Sequence, residues 1–175
     1  MSLLSLKILL EEVINEVGDF KNINSYKFKS LNNNNYVFNV GKDKVNVYFE
    51  KMNPNQIQAM NEFLDKDFFK ENTYNVVYDI EGVQSQFTKS NYSILVKILK
   101  TVTDIIVDFI NNNNVNFLTF YSMDKTGQTI FKTDSQKTKL NKIIITQNMN
   151  KLPGWKYRDI NLGGSFEGTA LYKDN

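Results

Sequence analysis

A chain of 175 residues with 41% hydrophobic and 13% aromatic side chains can bury one sizeable core and is too apolar for a disordered segment, so a single domain is expected. It contains no cysteine and no histidine, which excludes disulfide frameworks, thiolate nucleophiles, Cys/His zinc sites, Ser-His-Asp triads and imidazole acid–base chemistry together. The net charge of +2 is too small to define a partner, but its distribution is uneven.

Between residues 125 and 158, eight basic side chains (Lys125, Lys132, Lys137, Lys139, Lys142, Lys151, Lys156 and Arg158) accompany Asp134 alone, whereas residues 1–20 and 62–71 lean acidic. Lys132, Lys137, Lys139 and Lys142 are the residues that would carry nucleic-acid binding. Arg158 is the only arginine, and with fork-shaped donors so scarce a solvated lysine face is favoured over nucleic-acid recognition.

In chain order, residues 3–17 place Leu6, Leu9, Leu10, Val13, Ile14 and Val17 on one face, with Ser2 or Ser5 as cap and Gly18 as stop, which predicts an amphipathic helix over 1–18. That face either packs on the chain's own core or docks on another subunit. Lys7 interrupts the apolar run, and Glu11 and Glu12 follow it, a pattern unlike a secretory leader. No apolar run approaches the ~20 residues of a membrane span. A cytoplasmic location is therefore expected.

Residues 26–31, 36–40 and 45–49 alternate apolar and polar, and the Asn run 32–35 and residues 41–44 between them carry turn chemistry. An antiparallel meander over 26–50 follows. Asn53-Pro54 reads as an N-cap followed by proline at the first helical position, opening a short helix through Ile57, Met60, Phe63 and Leu64 over 54–65. The adjacent Phe68 and Phe69 are either core anchors or an exposed contact patch.

A strand through Val76, Tyr78 and Ile80, a loop, a long helix over 92–110 and a strand over 115–121 make the central unit. The helix should turn Leu95, Ile98, Leu99, Val102, Ile105, Ile106 and Phe109 inward and leave Lys97, Lys100, Asp104 and Asp108 outside, with Lys100 and Asp104 as a surface pair. A further helix is expected over 135–148, then a turn at Leu152-Pro153-Gly154 and a hairpin of residues 155–162 and 169–172 around Gly163-Gly164. The resulting picture is α+β: one domain over 1–175, its strand-helix-strand-helix-strand unit over 74–162, and a mostly antiparallel mixed sheet of about six strands.

The amphipathic start, the meander, Phe87-Thr88-Lys89-Ser90-Asn91-Tyr92, the helix "VKILKTVTDIIVDFI" and the strand "VNFLTFYSMD" together resemble an uncharacterised family of tailed-bacteriophage proteins. This likeness covers most of the chain and rests on pattern rather than on catalytic signatures. It implies a phage protein made in the host cytoplasm, with a place in the virion.

The element order from Tyr74 onward is also similar to the C-terminal half of the GNAT N-acetyltransferase fold. In that family a Gly-rich loop ahead of the long helix presents backbone N–H groups to the cofactor pyrophosphate. The matching residues are Gln86, Thr88, Lys89, Ser90 and Asn91, with no glycine after Gln86, so acyl-CoA binding is implied by the likeness alone. Under that likeness Tyr92 or Tyr121 stands where a tyrosine acid would, and Glu50, Asp79 and Glu81 are the available carboxylates. No pair among them has a spacing that singles it out.

Neither the acids Asp65-Lys66-Asp67 nor Asp104 and Asp108 have the alternation and glycine of a calcium loop, and no phosphate-binding loop motif occurs. No cofactor and no metal are therefore expected. The favoured reading is a non-enzymatic protein-binding module that contacts other phage proteins or itself through Leu6, Leu9, Leu10, Val13, Phe68 and Phe69, with the acyltransferase and the nucleic-acid binder as alternatives.

Overall fold

The computed structural model describes residues 23–64, 67–78, 92–120, 142, 145–146, 148–161 and 167–173. Their strands are β1 (Phe28–Asn32), β2 (Asn35–Val40), β3 (Asp43–Lys51), β4 (Thr73–Tyr78), β5 (Phe117–Phe120), β6 (Trp155–Asn161) and β7 (Glu167–Lys173), with helices α1 (Pro54–Leu64) and α2 (Tyr92–Asn112). The class is α+β. Seven strands, one more than expected, hydrogen-bond in the order β1-β2-β3-β4-β5-β7-β6. The N-terminal helix expected over 1–18 lies outside the described residues. Of the helix expected over 135–148, Lys142, Ile145 and Thr146 are helical, and the Thr146 hydroxyl donates to the Lys142 carbonyl at 2.8 Å.

The chain groups into two compact units, one of Met1–Tyr48 with Tyr78–Phe109, the other of Phe49–Val77 with Ile110–Asn175. In the first, β1-β2-β3 is the expected antiparallel meander, with Phe28 opposite Phe38 and Phe38 opposite Val45. Cross-strand partners share a face, so Tyr36, Phe38, Val40, Val45 and Val47 form its buried side. Gly41, at φ 60°, supplies the first position of the two-residue β2–β3 loop, where a side chain would be strained. The Asn run turns by another route: Asn32 Oδ1 accepts the Asn34 N–H at 2.9 Å, an Asx-type closure that needs no left-handed residue.

Helix α2 buries the expected stripe, Leu95, Ile98, Leu99, Val102, Ile105, Ile106 and Phe109 all being at most 3% exposed. Its polar side departs from expectation at Lys100. That residue is 9% exposed because the segment leading into β1 lies along it: Ser25 Oγ donates to Asp104, the Tyr26 N–H donates to Thr101 Oγ1 at 2.9 Å, and the Tyr26 ring lies under the Lys97 ammonium at 4.4 Å. Lys100 Nζ in turn donates to Asp104 at 2.5 and 2.6 Å. Tyr36 closes the same side by donating to Asp108 at 3.0 Å. The expected pair forms, but as a shielded bridge rather than a surface one.

In the second unit β4 runs parallel to β5, Tyr74 standing opposite Leu118, while β7 is antiparallel to both β5 and β6. Parallel neighbours need a long connection, and the chain between β4 and β5 contains α2. The β6–β7 hairpin forms as expected, Trp155 opposite Lys173 through Asn161 opposite Glu167. Ahead of it the Trp155 N–H donates to the Leu152 carbonyl at 3.1 Å with Gly154 at φ 81°, a type II turn with proline and glycine at their favoured positions.

Candidate functional site

Asn53 Oδ1 accepts the Gln56 N–H at 2.9 Å and Gln56 Oε1 accepts the Asn53 N–H at 2.8 Å. This reciprocal box fixes where α1 starts, and Pro54 costs nothing at a position whose N–H has no helical partner. With the start fixed, Pro54, Ile57, Gln58, Asn61 and Glu62 fall at helical spacing on one face. They line an open groove of about 720 Å³ together with Asp67 and Glu71.

Asn61 holds the far wall. Its Nδ2 donates to the Phe69 carbonyl at 2.8 Å and its Oδ1 accepts the Phe69 N–H at 2.7 Å. Gln58 Nε2 donates to Glu62 Oε1 at 2.8 Å along the rim. Among the described residues no lysine or arginine pairs with Glu62, Asp67 or Glu71; the ion pairs described are Lys100–Asp104 and Lys142–Asp159. Nor does any group of three acids among the described residues converge as metal ligands would. The groove thus carries three spread carboxylates over the apolar Ile57 and Pro54.

Behind the groove lies an aromatic core. Phe69, Phe117, Ile160 and Ala170 are buried, and Ile57, Met60, Leu64, Phe68 and Tyr172 pack against them. The Phe68 ring meets Phe69, Phe117 and Tyr172 edge-on at 5.0, 5.4 and 5.1 Å, the geometry that aligns positive ring edges with negative faces. On the outer side of Phe68 stands Arg158, its guanidinium 5.1 Å from the ring centre. Lys156 and Arg158 pair with Tyr172 and Ala170 across β6–β7, so both stem from the sheet face that carries the aromatic cluster, and both are exposed.

Of the residues singled out from sequence, Phe69 is 2% exposed and Phe68 half-buried, both within this cluster. Leu6, Leu9, Leu10, Val13, Gln86, Thr88, Lys89, Ser90, Asn91, Asp79, Glu81, Tyr121, Lys132, Lys137 and Lys139 lie outside the described residues. Tyr92 opens α2 and Glu50 is exposed on β3. Lys142 donates to Asp159 at 2.8 Å; that hydrogen bond first, and the carboxylate's charge second, hold its ammonium above the usual lysine range.

Sequence reasoning passed over Asn61, Glu71 and the groove itself, and weighed Asp67 only as part of a calcium loop. Its one readable signal was the spacing 54, 57, 58, 61, 62, since Asp67 and Glu71 reach the groove only because the chain turns back after α1. Buried polar residues in the sheet were passed over as well. Asn75 and Thr119 stand opposite each other in the β4–β5 ladder, and Thr119 Oγ1 donates toward Asn75 Oδ1 and the Tyr74 carbonyl at 3.3 and 3.4 Å. No protein-family model matches the chain, and neither a curated protein nor a solved structure matches it significantly.

Proposed function

We propose that this chain is a non-enzymatic protein-binding module serving as a structural or assembly component of a tailed-phage virion. The observation that carries the binding part is the groove along α1: one helical face, three carboxylates without a described cationic partner and a half-buried Phe68 beside them. Such a surface offers area, charge and an aromatic anchor, the features from which protein contacts gain affinity and selectivity. The phage part rests on the pattern likeness of the sequence. Quantitative mass spectrometry of stringently washed particles tests it: a constant copy number per particle is expected, and absence from particles would overturn the virion role.

A second reading, an acyl-CoA-dependent N-acetyltransferase-like enzyme or its inactive relative, is favoured by one feature. The parallel pair β4–β5 is joined through α2, whose first residue, Tyr92, directly follows residues 86–91, and helix N-termini at such junctions attract phosphate groups. A rise in melting temperature with acetyl-CoA is the outcome this reading requires.

A further inference from the structure

We propose that the α1 groove docks a basic segment of a partner protein, one that carries lysine or arginine on either side of apolar side chains. The inference rests on the binding-module reading and names the chemistry of its partner. Two walls define the groove. One is the face of α1 bearing Pro54, Ile57, Gln58, Asn61 and Glu62; the other is the returning segment that bears Asp67 and Glu71. That segment is pinned at two points. Asn61 binds the backbone of Phe69, and the Thr73 carbonyl accepts the Met52 N–H at 2.9 Å, directly ahead of the box at Asn53. From Asn53 to Asn61 the helix rises about 12 Å, so the returning segment runs back along α1 over that distance. Asp67 precedes the Phe69 pin and joins Glu62 at the Asn61 end. Glu71 lies toward the other end, within the turn that Thr73 Oγ1 closes by donating to the Lys70 carbonyl at 2.6 Å.

This order of charges selects the occupant. Cationic side chains meet carboxylates toward both ends of the groove, and an apolar side chain between them meets Ile57 and Pro54. Among the described residues no lysine or arginine pairs with the three acids, and the donor to Glu62 is the neutral Gln58 at 2.8 Å. An acidic occupant would be repelled, and a neutral one would strip water from the carboxylates without replacing it. The chain as a whole carries a net charge of +2, so attraction of a cation must come from this local cluster rather than from the molecule's overall field. The groove is also open, with a volume of about 720 Å³. A small cation would leave most of its own surface in water there, whereas a segment of chain laid along the groove covers the floor and both ends together.

Fluorescence anisotropy on the full chain tests this, with a labelled peptide of about twelve residues repeating Lys-Arg-Leu-Leu as the probe. Saturable binding of one peptide per chain is expected at about 0.05 M salt, weakening roughly tenfold or more toward about 0.5 M because exposed charge pairs are screened. Glu62→Gln/Asp67→Asn/Glu71→Gln keeps the side-chain shapes and removes the charges, and should weaken binding by roughly tenfold or more. Glu50→Gln, which neutralises an exposed carboxylate outside the groove, should leave the affinity unchanged. A peptide with serine in place of every leucine should bind roughly tenfold more weakly or worse, since it has nothing to set against Ile57 and Pro54. No saturable binding at low salt, a groove variant that binds as well as the wild type, an equal loss in Glu50→Gln, or equal affinity for the serine peptide would each overturn the proposal. If the triple variant fails to fold, Glu62→Gln/Glu71→Gln takes its place, with weaker binding expected and unchanged binding counting against the groove. A chain that ignores the peptide yet is present at constant copy number in particles would sink the basic segment and leave the binding-module reading standing. Groove-dependent binding by a chain absent from particles would keep the docking site and remove the virion role.

Discussion

The side chain of Asn61 binds both backbone groups of Phe69, donating to its carbonyl at 2.8 Å and accepting from its N–H at 2.7 Å. One carboxamide thereby does what a neighbouring strand would do for an otherwise irregular segment. It ties α1 to residues 67–71 and so shapes the groove. Asn61→Ala should destabilise the chain by about 2–3 kcal/mol, because two partly buried backbone groups lose their partner. Urea denaturation measures this, and a change below about 0.5 kcal/mol would mean that water replaces the carboxamide without loss.

Lys100 and Asp104 form a shielded bridge, their side chains 11% and 24% exposed. Removing one charge strands the other, whereas removing both removes the need for pairing. Lys100→Met is expected to cost about 2 kcal/mol, and Lys100→Met/Asp104→Leu to recover at least half of that despite the lost Ser25 contact. Equal losses in the single and double variants would show that the two charges are not coupled.

Alkaline pH should weaken the fold. Burial first, then the hydrogen bond to Asp108 and that carboxylate's charge, holds the Tyr36 hydroxyl above the usual tyrosine range, and burial alone does so for Tyr78. The folded state keeps these protons to higher pH than the unfolded chain. Their contribution is complete below about pH 10, where an unfolded tyrosine titrates, and is lost as pH rises through the higher folded values. Stability should fall above that point by up to about 1.4 kcal/mol per pH unit for each tyrosine. Tyr36→Phe should flatten the fall between about pH 10 and 11.5; an unchanged slope would remove Tyr36 from the account.

Thr169 is 0% exposed, and its Oγ1 has no hydrogen-bond partner among the described residues. A buried hydroxyl that has given up water without compensation is destabilising. Thr169→Val keeps the shape and removes the orphan group, so a gain of about 1 kcal/mol is expected in chemical denaturation. Thr119→Val, which deletes a hydroxyl that is bonded, should move the other way.

Asn72 adopts φ 60°, and its carbonyl accepts the Asn116 and Phe117 N–H groups at 3.1 and 3.4 Å, locking the starts of β4 and β5 together. Left-handed backbone penalises a Cβ, and asparagine bears that better than most residues. Asn72→Ala should cost about 1 kcal/mol and Asn72→Gly about nothing; the reverse order would show that the asparagine side chain, not the backbone angle, is what matters there.

The sequence by itself determined what depends on near neighbours. The apolar stripe of α2, the Asn53-Pro54 start of α1, the meander and the final hairpin were all legible, because helix periodicity, capping and tight turns involve residues a few positions apart. The exclusion of thiol and imidazole chemistry was equally complete, since it needs only the residue inventory. Tertiary structure alone decided the rest. The insertion of β7 between β5 and β6, the shielding of Lys100 by Ser25 and Tyr26, and the meeting of Asp67 and Glu71 with the face of α1 all join segments whose contact leaves no local periodicity. Arg158 likewise read as one member of a basic stretch until the fold put its guanidinium over the Phe68 ring. Which segments meet is fixed by how the chain returns on itself, and that return is set by the burial of Phe69, Phe117, Ile160 and Ala170 together rather than by any one of their local sequences.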